Sequence, residues 1–220
     1  MKGEIYVRLD QVSRKFGEEW ALKEVSVQLE RGKIYGIVGN NGSGKTVFMK
    51  CICGLLPATS GRIWVGGKEI GKEIDFPESL GVIIETPGFL SGLTGRKNLE
   101  ILADLRKKID RTGIEEAMRK VGLDPDMKKQ VSKYSLGMRQ RLGIAQAIMD
   151  APDILILDEP FNSLDKDGVK EIAALLLSLK HQGKTMILAS HHSDDIDLLC
   201  DEVYEMESGK ISKQTGGSSK

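Results

Sequence analysis

Gly39-Asn40-Asn41-Gly42-Ser43-Gly44-Lys45-Thr46 is the stretch on which the reading of the chain turns. Ahead of it, Ile34 to Val38 is an apolar run that reads as a buried strand. Behind it, Val47 to Cys53 reads as the start of a helix. Strand, glycine-rich loop, Lys-Thr and helix in that order form the P-loop pattern. The glycines let backbone amides turn inward as a nest for phosphate oxygens, and the helix N-terminus adds its dipole. Lys45 would reach the terminal phosphates of a nucleoside triphosphate, and the Thr46 hydroxyl would ligate Mg²⁺. A plain glycine turn would not need the complete eight-residue pattern with both flanks in place.

The bulk of the chain is compatible with that loop. Its 220 residues suffice for one domain with a small subdomain. Hydrophobic residues make up 40% and charged residues 29%, as in a water-soluble globular protein. Lys plus Arg and Asp plus Glu balance at 32 each, so no global basic charge points to nucleic acid. No apolar stretch is long enough to cross a membrane, and Met1 to Ile5 lacks the apolar core of a signal peptide. A membrane role is therefore expected to come through a partner chain. Cys51 and Cys53 sit two apart on the helix after the loop, and Cys200 lies far along the chain. That spacing gives neither a metal nor a disulfide pattern, and free thiols in a reducing compartment are expected.

The N-terminal third is expected to be β-rich. Ile5 to Leu9 and Val25 to Leu29 alternate like half-buried antiparallel strands, with Lys15 to Trp20 as a turn between them. Arg62 to Val65 is another strand, and Gly66-Gly67 signals a hairpin. Leu80 to Ile84 is a continuous apolar run, expected to be a strand buried on both faces. Helices follow: one from Leu93-Thr94 to about Lys107, one opened by a Thr112 capping box and closed near Val121, and one capped by Ser135 and running to Met149. Residues 93–150 are thus a helical block inserted into an α/β chain. Ile154 to Leu157 and Thr185 to Ala189 are further buried strands, with a helix from Lys166 to His181 between them. Asp195 to Leu199 reads as a short helix, and Val203 to Met206 with Lys210 to Ser212 as a final hairpin. The expected whole is a single domain over residues 1–213, mostly parallel in its sheet, with a disordered tail over 214–220.

Ile154 to Leu157 runs directly into Asp158-Glu159. A strand that delivers an aspartate beside a P-loop is the Walker B arrangement, in which Asp158 holds Mg²⁺. The adjacent Glu159 points the other way and is placed to take a proton from an attacking water. Between the helical block and that strand lies Tyr134-Ser135-Leu136-Gly137-Met138-Arg139-Gln140-Arg141. It resembles the signature motif, usually written LSGGQ, of ATP-binding cassette (ABC) ATPases, and it stands where that family has it.

The resemblance covers residues 4–212 and implies a P-loop NTPase core with an antiparallel β-subdomain and an inserted helical subdomain. It implies ATP and Mg²⁺ as ligands. It also implies a head-to-tail dimer in which ATP lies between the P-loop of one copy and the signature helix of the other. Ser135 and Gly137 sit at a helix N-terminus, an anion site that would serve the other copy's γ-phosphate. Asn162-Ser163-Leu164-Asp165 resembles the D-loop, which crosses that interface. His191 resembles the switch histidine, and His192 is read as its neighbour without a role. Phe16 matches the aromatic that stacks on adenine, whereas Trp20 is expected to pack.

The chain departs from the family pattern at three places. Glu85 stands where the Q-loop glutamine is expected, which would put a carboxylate near the Mg²⁺ of Thr46 and Asp158. Leu136 replaces a glycine and Met138 a glutamine of the signature. In this form the loops are similar to those of ATPase subunits of bacterial peptide-antibiotic exporters, including lantibiotic-immunity and bacitracin-resistance types. The implied protein is a cytoplasmic ATPase subunit, a homodimer bound peripherally to an integral-membrane permease and not to nucleic acid. The rival reading is an ABC ATPase outside transport, acting on nucleic acid or a regulatory partner. The coiled-coil or zinc insertion expected of the nucleic-acid type is missing between P-loop and signature.

Overall fold

A computed structural model describes residues 3–106, 109–191, 196 and 199–214 of the chain. Two sheets organise it. The small one is antiparallel, in the order β2-β1-β4-β5, from β1 (Ile5–Phe16), β2 (Glu19–Glu30), β4 (Ser60–Val65) and β5 (Lys68–Glu69). The large one comprises β3 (Ile34–Val38), β6 (Leu80–Ile83), β7 (Ile154–Asp158), β8 (Thr185–Ser190), β9 (Glu202–Glu207) and β10 (Lys210–Lys213). Its order is β10-β9-β3-β8-β7-β6, parallel except for β10, which pairs antiparallel with β9.

The large sheet is covered on both faces, which is why its strands read as apolar runs. Side chains alternate along a strand, so β7 sends Ile154 and Ile156 into one core and Leu155 and Leu157 into the other. The first core lies under the small sheet and α1 (Lys45–Ile52), with Phe48, Met49 and both Cys51 and Cys53 fully buried. Burial pushes the Cys51 thiol up to about 11 and Cys53 up to about 12, so both are inert thiols. The second core joins the sheet to α2 (Gly95–Arg106), α3 (Arg111–Lys120), α4 (Leu136–Ile148) and α5 (Lys166–His181).

Several boundaries differ from the sequence reading. The first hairpin is longer: Phe16 pairs with Glu19, so the turn is only Gly17-Glu18. Register shifts along β1, with positive φ at Gln11 and Glu24, break the alternation that would have revealed the full strands. Trp20 does not pack. It is 44% exposed at the start of β2, with the Lys15 ammonium 5.5 Å from its ring centre. β6 is the edge of the sheet, so Leu80 and Val82 stay half exposed while Gly81 and Ile83 are buried. α3 is capped by Asp110, whose Oδ1 accepts from the Gly113 amide at 3.0 Å, and not by Thr112. Glu115, the expected second half of that box, instead accepts from Arg111 at 2.8 Å.

α2 opens at Gly95, with Thr94 Oγ1 accepting from Lys97 N at 3.3 Å, and its expected end at Lys107 lies outside the described residues. Of the expected helix at 195–199, Ile196 and Leu199 are described and buried. The rest of that helix, together with His192, lies outside the described residues. The same holds for the tail except Gln214, whose amide donates to the Val203 carbonyl at 2.9 Å.

Candidate active site

Three parallel strands end side by side at the site. β3 runs into the glycine-rich loop, β7 into Asp158-Glu159 and β8 into Ser190-His191. The loop turns into α1 at Gly44, which caps the helix with φ +111°, a backbone conformation that favours glycine. A Cβ there would also stand 2.6 Å from the Ala21 carbonyl oxygen of β2. Lys45 is buried, and its Nζ donates to the carbonyls of Gly39 at 2.6 Å and Asn40 at 3.1 Å, across the loop. Asn41 and Gly42 form the crest of the loop, and the Ser43 amide closes it onto the Asn40 carbonyl at 3.1 Å. The Ser43 hydroxyl is buried and has no hydrogen-bond partner among the described residues, as suits a group that meets a phosphate.

Thr46 Oγ1 donates to Asp158 Oδ2 at 2.9 Å, joining α1 to the end of β7. Burial raises the Asp158 pKa above the ordinary carboxylate value, and the Thr46 hydrogen bond pulls the other way. A hydroxyl and a carboxylate held this close offer hard oxygen donors, so these residues fit Mg²⁺. Glu159 takes the opposite direction. Its Oε1 accepts from the His191 amide at 3.0 Å and lies 2.7 Å from His191 Nδ1. Asp158 is thus turned towards α1 and Glu159 towards the end of β8.

Glu85 lies close enough to Asp158 to act on its charge, but it is held by a lysine. Its Oε1 is 2.7 Å from Lys50 Nζ, one helical turn beyond Thr46 on α1, and it makes no hydrogen bond to Thr46 or Asp158. The lysine offers this exposed carboxylate an opposite charge, where Asp158 and Glu159 offer like charges. Phe16 ends β1 at 44% exposed, with the Arg14 guanidinium 4.6 Å from its ring centre. It pairs with Glu19, two residues from the Ala21 that abuts Gly44.

The signature segment forms the N-terminal turn of α4. Ser135 caps it, its Oγ accepting from Met138 N at 3.2 Å, and Leu136 is 68% exposed beside it. Gly137 lies against the D-loop: a Cβ there would be 2.8 Å from the Ser163 carbonyl oxygen. Ser163 has φ +65°, and Asp165 caps α5 by accepting from Gly168 N at 2.8 Å. Two residues given no role in the sequence reading enter here. Lys50 holds Glu85, and Gln140 Nε2 donates to the carbonyls of Glu159 and Pro160, both at 3.1 Å. The unpaired carboxylate at Glu85 was the available signal for Lys50; nothing local signalled the Gln140 contacts.

Comparison with known proteins places the chain in a family. Residues 22–162, more than half of the chain, match the family described as ABC transporter. The chain is 41% identical to the bacitracin transport ATP-binding protein BcrA of Enterococcus faecalis, over 94% of this chain and 68% of that protein. It is 34% identical to the lantibiotic transport ATP-binding protein SrtF of Streptococcus pyogenes, over 93% of this chain and 88% of that one. Among solved structures, the dimeric ATP-binding cassette MJ0796 bound to ADP and Pi superposes with a TM-score of 0.85 at 23% identity. That likeness covers 96% of this chain and 99% of that one, and shows the shared fold. The chain belongs to the ABC transporter family, as one of its ATP-binding, ATP-hydrolysing cassettes.

Proposed function

We propose that the chain powers export of a peptide antibiotic or similar compound through a separate membrane permease, working as a head-to-tail dimer at the cytoplasmic face. The export reading is supported by the bacitracin and lantibiotic transport relatives. None of the described helices is long and apolar enough to cross a membrane.

The observation that carries the mechanism is the division of Asp158 and Glu159 between Thr46 and His191. Thr46 and Asp158 would hold Mg²⁺, which supplies neutralising charge to the β- and γ-phosphates when bound. Glu85 remains a candidate ligand only if it leaves Lys50. The loop amides of residues 39–44 and Lys45 cradle the phosphates, and Phe16 stacks on adenine. Glu159 accepts the proton of the attacking water, and His191 fixes the Glu159 carboxylate. Ser135 and the Gly137 amide, with Leu136 and Met138 beside them, are offered to the γ-phosphate of a second copy, since they form the N-terminus of α4, where Ser135 and Leu136 are exposed. Ser163 and Asp165 line the same seam. Closure of two copies would complete both sites, and hydrolysis would reopen them.

The test is made in a native host. A tagged chain isolated from detergent-solubilised membranes is expected to bring down a multi-span permease, and deletion of its gene to lower tolerance of a peptide antibiotic. No co-purifying permease and unchanged tolerance would overturn the proposal.

A further inference from the structure

We infer that Gln140 is a positioning residue that ties the signature turn of α4 to the base of its own chain's site. The inference rests on Glu159 as base and on Ser135 and Gly137 as donors to a second copy.

Glu159 has φ +51°, an uncommon conformation for a residue with a side chain, which persists only where its surroundings over-determine it. Its fastenings can be traced. The Glu159 amide donates to the Ala189 carbonyl at 2.9 Å, and its carbonyl accepts from the Asn162 amide at 3.2 Å. Its carboxylate accepts from His191. These partners belong to β8, to the loop after it, or to the turn that Glu159 itself opens. Gln140 is different: it reaches in from α4 in the helical subdomain, and its one amide nitrogen serves the two successive carbonyls of Glu159 and Pro160. An amide nitrogen carries two N–H groups, so one side chain satisfies both acceptors.

The same helix touches the same segment a second time. Gly137, one turn earlier on α4, packs against the Ser163 backbone so closely that a Cβ would be 2.8 Å from its carbonyl oxygen. With one contact at each end of the Glu159–Ser163 segment, the α4 N-terminus and the base move as one body. A shift of α4 on meeting a partner's nucleotide is thereby passed to the Glu159 backbone.

The experiment compares wild type, Gln140→Met, Gln140→Glu and Glu159→Gln in steady-state ATPase assays, in binding of a fluorescent ATP analogue and in thermal unfolding. Methionine removes the donors at similar length, and glutamate replaces them with acceptors that repel both carbonyls. The expected result is a fall in kcat of about tenfold to a hundredfold in both Gln140 variants. Nucleotide Kd, KM and the thermal midpoint stay at wild-type values. Gln140→Met keeps the test valid if the glutamate variant fails to fold. Wild-type kcat in Gln140→Met overturns the inference, as does a fall in kcat matched by equal losses of nucleotide affinity or thermal stability. Full turnover by Glu159→Gln would overturn the base assignment itself. An inactive Glu159→Gln beside a fully active Gln140→Met overturns the tether alone.

Discussion

Glu159 and His191 meet through a single oxygen: Glu159 Oε1 takes the His191 amide at 3.0 Å and lies 2.7 Å from its Nδ1. The backbone bond holds the carboxylate whatever side chain stands at 191, and the imidazole adds direction. His191→Ala should therefore keep Glu159 in place but aim it poorly. We expect kcat to fall by about a hundredfold while nucleotide affinity stays near wild type. Unchanged kcat in steady-state assays would show that the imidazole does not orient the base.

Asp158 gives a stability prediction of definite sign. Burial raises its pKa above the unfolded value, so the native chain holds this proton more readily than the unfolded chain does. Its contribution to stability is greatest at acid pH and is lost as pH rises through the raised pKa. At neutral pH the fold therefore carries an unfavourable charge at this position. Asp158→Asn removes the charge and keeps an oxygen for Thr46 Oγ1. The variant, free of nucleotide and Mg²⁺, should melt above wild type at pH 7.5, and the gap should narrow on acidification. It should also lose Mg²⁺-dependent ATPase activity. A lower melting point at pH 7.5 would contradict the account.

Gly137→Ala sets two magnitudes against each other. Alanine gains at most about 1 kcal/mol of helix propensity, and less in the first turn of a helix. The added Cβ would stand 2.8 Å from the Ser163 carbonyl oxygen, which is backbone and has little room to give. Overpacking of that kind costs about 1–3 kcal/mol, so net destabilisation is expected, with loss of ATPase activity. Denaturant unfolding of the two proteins measures it, and an equal or higher stability would contradict the contact.

Much of this site was legible in the sequence because its signals are local. Residues 39–46 carry their own geometry, and Asp158-Glu159 announce themselves by ending an apolar run. Ser135 was readable as a cap for the same reason. What escaped depended on tertiary neighbours. Leu80 to Ile84 reads like a strand buried on both faces, but only its place in the sheet shows that it is an edge. Asp110 and Thr112 both suit an N-cap, and the turn before α3 selects Asp110. Lys50 meets Glu85 across 35 residues and Gln140 meets Glu159 across 19, so no periodicity exposes either pair. Trp20 was expected to pack because it is large and apolar, yet at the end of a hairpin it stays 44% exposed.

The central claim is that Glu159 drives hydrolysis in a site that only a second copy completes. Glu159→Gln mixed with ATP and Mg²⁺ on a sizing column with light scattering tests it most directly. The account predicts a stable dimer that retains ATP, no dimer without ATP, and turnover reduced by about 10²–10⁴-fold. A monomer in saturating ATP, or wild-type turnover, would contradict it.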